Sequence, residues 1–362
     1  MKASSPLLLL SLLLFASAFS LGATPDRPRC DQSNPNVAVP DGPHGLFVVV
    51  FPQARPRAEA RRKYLLDNPV VCGADIFVVW SEVDRGPDAS PRYDWSVVDA
   101  QIAPWVKAGK VVNFIVWTVS YEHQKAASPR YVLSRVPTVD CPHFGDVPIF
   151  WEPEFKSNYK AFMSALVQRY GSNPSLGYIR FGLGGGGETL PPCRFELQRR
   201  YGLNNRRWLD YLFEMMDYEK TLDSPKQILV SLMGQEPGMS VEVAAHAAKN
   251  GLAIGIQGLA ADDMHNYKAG RPCKGNWCEM WNRYKGEVPL ELQSLTKSEP
   301  DGSGTGSLVD LLPFALSLHT QIIEIYIPDW LVAYDPSDPG YPRYHTEYQQ
   351  ALEKAADVVG GH

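Results

Sequence analysis

The chain has 362 residues, of which 44% are hydrophobic and 21% are charged, a composition typical of a globular protein that buries a large core. Its formal net charge is −5, so nothing indicates the basic face that binding to nucleic acid or to an anionic membrane would need. The length alone allows one large domain or two small ones, and the pattern of predicted elements decides between them.

The first 23 residues have the pattern of a secretory signal peptide. Lys2 provides the positive charge, Leu7–Phe15 is a short apolar run, and small residues up to Ala23 offer a cleavage site. The run is too short to span a bilayer comfortably, and Pro25 follows it closely. We therefore expect a secreted protein that has no membrane contact after signal cleavage, with residues 24–362 as its folded part. An uncleaved anchor is the alternative.

The cysteines indicate an oxidising compartment, because an even number of them follows the signal peptide. Cys273 and Cys278 are close together in a loop-like segment, and we expect them to pair, whereas the other connections stay open. Neither Cys-x2-Cys pairs nor His-x3-His spacing is present, so we expect no metal site and no cofactor. The six residues are Cys30, Cys72, Cys141, Cys193, Cys273 and Cys278.

Short runs of β-branched and aromatic residues alternate with helical stretches, a pattern typical of βα units around a parallel sheet. Eight evenly spread strands favour the α/β class and a single (β/α)8 TIM barrel. An open doubly wound sheet is disfavoured, because residues 51–56 after the first strand are not a glycine-rich phosphate turn. The predicted strands are 45–52, 75–80, 111–117, 176–183, 227–233, 252–258, 288–294 and 321–327, and the clearest helices are 155–170, 208–218 and 241–249.

The carboxyl end of the fourth predicted strand carries the most distinctive segment of the sequence. In a (β/α)8 barrel, the active site lies at this end of the strands. Here the four consecutive glycines 184–187 are followed by Glu188. Such a run weakens a strand but lets the backbone bend sharply and a ligand approach closely. We therefore place Glu188 at the barrel mouth, with a flexible loop and a solvated carboxylate as the alternative.

Two further glutamates lie within predicted strands. In the seventh strand, residue alternation puts Glu291 and Gln293 on one face and two leucines on the other. The leucines face the helices, so Glu291 faces the barrel interior, where a carboxylate is costly unless it is paired or used in chemistry. Glu324 in the eighth strand follows the same logic and is the rival of Glu291 for a catalytic role. A buried structural ion pair is the alternative for Glu291.

The chain resembles the large clan of (β/α)8 glycoside hydrolases that contains the β-galactosidases. The resemblance lies in Tyr93–Asp99, in Phe150–Tyr159 and its continuation to Glu188, and in the strand with Glu291. In that clan an acid/base glutamate ends the fourth strand and a nucleophilic glutamate ends the seventh. The resemblance therefore implies these roles for Glu188 and Glu291. The clan usually has an asparagine before the first glutamate, where this chain has Gly187.

This resemblance implies a secreted glycoside hydrolase that cleaves O-glycosidic bonds of an oligosaccharide or polysaccharide, with retention of configuration. Glu188, in desolvated surroundings that raise its pKa, would protonate the leaving oxygen. Glu291, kept ionised by hydrogen bonds, would attack the anomeric carbon. Aromatic platforms and amides would contact the sugar, with core packing as the alternative for each aromatic residue. The expected substrate-binding residues are Trp80, Trp117, Gln235, Gln257, Glu324, Tyr326 and Trp330.

A second resemblance is to the β-amylases, which are inverting barrels. Gly182–Pro191 and Leu290–Gln293 look like their two glutamate motifs. In an inverting hydrolase, Glu291 would activate a water molecule instead of attacking the sugar. A barrel that binds carbohydrate without catalysis is the alternative of a different class. An aldolase- or isomerase-type barrel is disfavoured, because it would need a lysine or a phosphate nest and does not suit a secreted protein.

Overall fold

Eight parallel strands close into a barrel in the computed structural model, which describes residues 43–120, 126–232, 239–273 and 277–360. Each observed strand overlaps one predicted strand, which confirms a single (β/α)8 barrel. The strands follow one another around the barrel in chain order, and the last strand pairs with the first. The strands are β1 (Gly45–Val50), β2 (Gly73–Val79), β3 (Val111–Trp117), β6 (Leu176–Phe181), β7 (Gln227–Leu232), β8 (Ala253–Leu259), β9 (Leu290–Ser294) and β10 (Ile322–Tyr326).

Helices cover the outside of the barrel between successive strands. The three helices predicted from sequence, 155–170, 208–218 and 241–249, are each present. Within the described ranges, none is both long and apolar enough to cross a bilayer. The helices are α1 (Arg55–Ala60), α2 (Arg62–Leu65), α3 (Trp80–Val83), α4 (Ser96–Lys107), α5 (Arg130–Leu133), α6 (Pro153–Tyr170), α7 (Arg194–Tyr201), α8 (Asn205–Thr221), α9 (Met239–Lys249), α10 (Ala261–Lys268), α11 (Trp277–Tyr284), α12 (Leu308–Ser317), α13 (Ile327–Tyr334) and α14 (Tyr341–Gly360).

The largest apolar core lies between the barrel and this shell of helices. Helix α6 shows how the sequence builds it. Pro153 stands at the start of the helix, where its missing N–H costs nothing. Phe155, Tyr159 and Phe162, spaced three to four residues apart, form a stripe that is fully buried. The indole of Trp80 packs on all three rings, at centroid distances of 5.2–5.8 Å.

The barrel interior is mixed in character. One small apolar cluster, which includes Phe47 and Ile322, lies nearer the amino ends of the strands, and another, which includes Phe77 and Trp117, lies toward the carboxyl ends. Charged side chains share this interior with both clusters. The charged residues that are fully buried on the inward face of the described strands are Asp75, Arg180, Glu291 and Glu324.

A short antiparallel hairpin, which the sequence analysis did not predict, interrupts the βα alternation before α6. It consists of β4 (Thr138–Cys141) and β5 (Gly145–Pro148). A disulfide joins Cys141 to Cys193, whose Cα atoms are 5.9 Å apart, and so ties the hairpin to the start of α7.

The predicted local disulfide between Cys273 and Cys278 is confirmed, with a Cα–Cα distance of 5.3 Å. Cys72 is also disulfide-bonded. The predicted signal segment and Cys30 lie outside the described residues.

Candidate active site

The glycine run after β6 brings Glu188 over the mouth of the barrel. A Cβ atom at Gly182 would lie 2.2 Å from the carbonyl oxygen of Val116, so the backbone here lies directly against β3. Gly187 has a φ of +85°, and a Cβ there would lie 2.8 Å from the Cγ2 atom of Ile115. Only glycine fits such a close approach in this conformation. These two glycines therefore let the Glu188 loop lie directly against the strand ends.

Glu188 is 6% exposed. In the orientation of the Gln257 amide that suits both Glu188 and Arg180, Nε2 donates to Oε1 of Glu188 at 2.5 Å. The amide oxygen then faces the guanidinium of Arg180. The second carboxylate oxygen of Glu188 has no hydrogen-bond partner among the described residues. Burial raises the pKa of Glu188 to about 8, and Arg180 opposes that rise. The carboxyl group is therefore protonated at neutral pH, the state that a general acid needs.

Glu291 lies on the inward face of β9, in register with Gly255 of β8 and Ile322 of β10. It is 1% exposed, and its Oε2 atom lies 3.8 Å from Nη1 of Arg180. The sequence analysis expected hydrogen bonds that keep Glu291 ionised, and the structure differs on this point. Neither oxygen accepts a hydrogen bond from the described residues. Burial, followed by the repulsion of Glu324, raises the pKa of Glu291 well above its ordinary value.

Arg180 of β6 is the cation at the centre of this interior, and Glu324 is its nearest acid. Nη1 of Arg180 lies 3.2 and 3.4 Å from the two carboxylate oxygens of Glu324. The hydroxyl of Tyr178 donates to Glu324 as well and lies 2.8 Å from Asp75. Asn113 donates to the same oxygen of Asp75 at 2.9 Å. Burial raises the pKa of Asp75 well above its ordinary value, with a further rise from Glu324.

An aromatic wall stands at the mouth beside these groups. Trp117 packs edge-on against Phe77 at 4.6 Å, and Phe51 stacks on Phe77 at 4.6 Å and on Tyr326 at 5.8 Å. The Tyr326 hydroxyl accepts a hydrogen bond of 2.6 Å from Nε2 of Gln293. The indole nitrogen of Trp117 has no partner among the described residues, although it is buried. The wall thus has apolar faces and one unsatisfied donor, which lies beside Gly187, the residue before Glu188.

The structure does not bring every expected binding residue to this mouth. Trp80 begins α3, and Trp330 lies within α13; both are fully buried in the shell around the barrel. Trp117, Gln257, Glu324 and Tyr326 do line the interior with the two glutamates. Gln235 lies outside the described residues.

Four interior residues were not among the expected site residues: Asp75, Tyr178, Arg180 and Gln293. The signal that could have identified them is the same period-2 alternation that located Glu291, because Tyr178 and Arg180 occupy alternate positions of β6. Within the described ranges, no group of three or more histidine, cysteine or carboxylate side chains has an arrangement that could hold a metal ion.

The loop that follows β9 is fixed by a buried carboxylate of α13. Asp329 accepts hydrogen bonds from the backbone nitrogen of Ser298 at 3.0 Å and from its hydroxyl at 2.8 Å. The same hydroxyl lies 2.7 Å from that of Tyr348. Burial raises the pKa of Asp329 to about 7 despite these hydrogen bonds.

No protein-family model matches the sequence, and no curated protein matches it significantly. Solved structures do share its fold. The catalytic domain of a β-amylase from Paenibacillus polymyxa aligns with a TM-score of 0.57 and 10% identity over 86% of this chain and 98% of that one. An endo-β-1,4-xylanase from Gloeophyllum trabeum gives 0.53 and 9%, over 90% and 99%.

A β-galactosidase from Halorubrum lacusprofundi aligns with a TM-score of 0.55 and 11% identity, over 87% of this chain and 58% of that one. The β-galactosidase from Marinomonas ef1 gives 0.50 and 11%, over 87% and 59%. The chain therefore spans about three fifths of the β-galactosidases that it matches. At these identities the likeness establishes the barrel fold.

Proposed function

We propose that this chain is a secreted glycoside hydrolase in which Glu188 is the general acid and Glu291 is the second catalytic carboxylate. One observation carries the proposal: Glu188 is held protonated near neutral pH at the barrel mouth, and Gln257 and Arg180 connect it to Glu291. Two carboxyl groups, one of them a proton donor, are what hydrolysis of a glycosidic bond requires. The fold shared with a β-amylase, a xylanase and β-galactosidases supports the same activity.

In the proposed reaction, Glu188 protonates the glycosidic oxygen as the bond to the anomeric carbon breaks. Glu291 then attacks that carbon in a retaining enzyme, and Glu188 deprotonates the water that releases the sugar. In an inverting enzyme, Glu291 activates the water directly. Either role requires Glu291 to give up its proton, and Arg180 at 3.8 Å is the cation that would stabilise the resulting charge.

The aromatic wall supplies a binding surface for the substrate, which we propose is an oligosaccharide or polysaccharide. The half-buried ring of Tyr326 offers an apolar face on which a pyranose can stack, whereas Trp117 is 1% exposed and packs against Phe51 and Phe77 within the wall. Gln257 and Gln293 offer amides to its hydroxyl groups. Secretion through a signal peptide at residues 1–23 is part of the proposal, and the disulfides support it because such bonds persist in oxidising compartments.

A second candidate function is carbohydrate binding without turnover. Its specific support is the environment of Glu291, which is buried and accepts no hydrogen bond from the described residues. Gly187 also stands where the glycosidase clan usually has an asparagine. In this alternative the aromatic wall binds the sugar, and the carboxyl groups are structural.

One experiment separates the two candidates. The secreted protein is incubated with aryl glycosides and with plant and microbial polysaccharides, and NMR follows the anomeric configuration of any product. Turnover that Glu188→Gln and Glu291→Gln each abolish, and that Glu353→Gln on the exposed face of α14 retains, supports the hydrolase. Saccharide binding without turnover supports the second candidate. Full activity in Glu188→Gln or Glu291→Gln contradicts the assigned roles.

A further inference from the structure

Arg180 has more acceptors around its Nη1 atom than that atom has hydrogens. Its Nη1 atom carries two hydrogens. It lies within 3.4 Å of both oxygens of Glu324, it also faces the amide oxygen of Gln257, and Oε2 of Glu291 is farther away at 3.8 Å. One hydrogen is therefore directed to Glu324 and the other to Gln257. No hydrogen of Nη1 is left for Glu291.

Glu324 is the permanent partner in this arrangement. Besides the guanidinium it accepts a hydrogen bond from Tyr178, and both partners are fully buried. Its carboxylate therefore has two donors, whereas Glu291 has none among the described residues. This difference argues that Glu324 is the counter-ion of Arg180 and not the second catalytic carboxylate.

Gln257 is the movable partner. Its amide is shared between Glu188 and Arg180, and it lies at the same mouth as the aromatic wall. A sugar hydroxyl that takes the Gln257 amide would free one hydrogen of Nη1. Glu291 is the remaining acceptor within reach of that hydrogen, because only 3.8 Å separates the two groups.

We propose that Arg180 is a positioning residue whose charge is held by Glu324 and Gln257 in the free protein and passes to Glu291 when a saccharide engages Gln257. The inference rests on the proposed function. In a hydrolase, this transfer of Arg180 would explain how the buried carboxyl group of Glu291 becomes an anion only when a substrate is present. The charged and titratable groups that act on Glu291 are Arg180 and Tyr178 of β6, Glu324 of β10, Asp75 of β2 and Glu188 of the mouth loop.

The test needs no substrate. The protein is labelled with 13C at the side-chain carboxyl carbon of glutamate, and the Glu291 signal is assigned by its absence from Glu291→Gln. Its titration midpoint is then measured by NMR in Gln257→Leu, which removes the amide, and in Glu324→Gln, which removes the competing carboxylate. Both changes release Arg180 toward Glu291. The midpoint should fall by about 1 to 3 pH units in each, the usual effect of an adjacent opposite charge.

Gln349→Leu is the matched control, because Gln349 lies on α14 and its amide donates to the backbone oxygen of Ala333. In this variant the Glu291 midpoint should stay within a few tenths of a pH unit of the wild-type value. Glu324→Gln also removes the repulsion that raises the pKa of Glu291, so an unchanged midpoint in Gln257→Leu alone overturns the inference, whatever the activity screen finds. A shifted midpoint in a protein that hydrolyses no glycoside supports the transfer of Arg180 to Glu291 but contradicts the proposed hydrolase activity.

Discussion

The Cβ position of Gly255 lies 2.2 Å from Oε2 of Glu291, its neighbour in register on the next strand. The carboxyl group of Glu291 therefore occupies the space that any other side chain at position 255 would fill. The same position lies 2.9 Å from Cδ2 of Leu229, so a side chain at position 255 would also meet this leucine. The absence of a side chain at Gly255 therefore leaves the space that the carboxyl group of Glu291 occupies inside the barrel.

Gly255→Ala should therefore displace the Glu291 carboxyl group and destabilise the protein by about 1–3 kcal/mol, the usual cost of overpacking a core. Urea denaturation gives the change in free energy of unfolding. In a Glu291→Ala background the side chain that causes the clash is shortened, so the same substitution should cost clearly less. Equal costs in the two backgrounds would show that Gly255 serves some other purpose.

The raised pKa of Glu188 predicts how stability depends on pH. Burial favours the neutral form, so the folded state keeps the proton between the ordinary pKa near 4.5 and about 8, where the unfolded chain has lost it. In that window the stability of the wild type falls as pH rises, by about 1.4 kcal/mol per pH unit from this group. Glu188→Gln removes the titrating group. Its stability should therefore exceed that of the wild type increasingly from pH 5 to pH 8.

Urea denaturation at pH 5, 6.5 and 8 measures this difference, and Glu353→Gln on the exposed outer helix should show none. If glycoside hydrolysis is found, its rate should also fall above pH 8, because Glu188 then loses the proton that it donates. A stability difference between Glu188→Gln and wild type that does not vary with pH would refute the assignment of a neutral Glu188.

Ser298→Ala should destabilise the loop after β9 by about 1–3 kcal/mol, since it removes a hydrogen bond from a buried carboxylate. The hydroxyl stabilises mainly the ionised form of Asp329, whose pKa is raised to about 7. The cost should therefore be larger at pH 8.5 than at pH 5.5. Tyr348→Phe is the control, because it removes the other partner of the Ser298 hydroxyl and leaves Asp329 its bonds. A cost that is the same at both pH values would contradict a pKa of Asp329 that lies between them.

The two disulfides whose cysteines both lie in the described residues should differ in their effect on stability. The bond between Cys141 and Cys193 closes 52 residues, and the bond between Cys273 and Cys278 closes 5. Loop-closure entropy predicts losses of about 4 kcal/mol and about 2 kcal/mol when each pair is replaced by serines. Urea denaturation of the two double variants tests the order. A larger loss for the short loop would mean that native contacts, not chain entropy, dominate.

Much of the fold could be predicted from the sequence, because strands buried on both faces stand out as short apolar runs between helical segments. The hairpin formed by β4 and β5 could not, because each strand has only four residues, too few for a periodic pattern to stand out. Alternation also placed Glu291 inside the barrel. It could not show that Arg180, three strands from Glu291 and four from Glu324 in the barrel order, would contact both, because only ring closure brings these strands together.

Trp80 and Trp330 show a second limit of the sequence. Both follow closely on strands whose carboxyl ends face the mouth, and both are aromatic, so their positions suggested sugar binding. The chain, however, turns directly into α3 after β2 and into α13 after β10. A helical start directs each indole into the shell of helices, where both are fully buried. Whether a strand end continues as a loop or as a helix depends on packing that a single sequence does not reveal.

The molecule is held together mainly by the apolar layer outside its barrel, whereas the lumen contains Asp75, Arg180, Glu291 and Glu324. Replacing such a buried charged set by apolar side chains of similar volume is often neutral or stabilising, by about 1–4 kcal/mol. A lumen refilled with leucine and methionine should then tolerate heat at least as well as the natural protein, while losing every titrating group. The natural charged side chains are thus expected to make the protein no more stable than apolar ones would. The residues of the lumen can therefore change chemically while the outer layer continues to specify the fold.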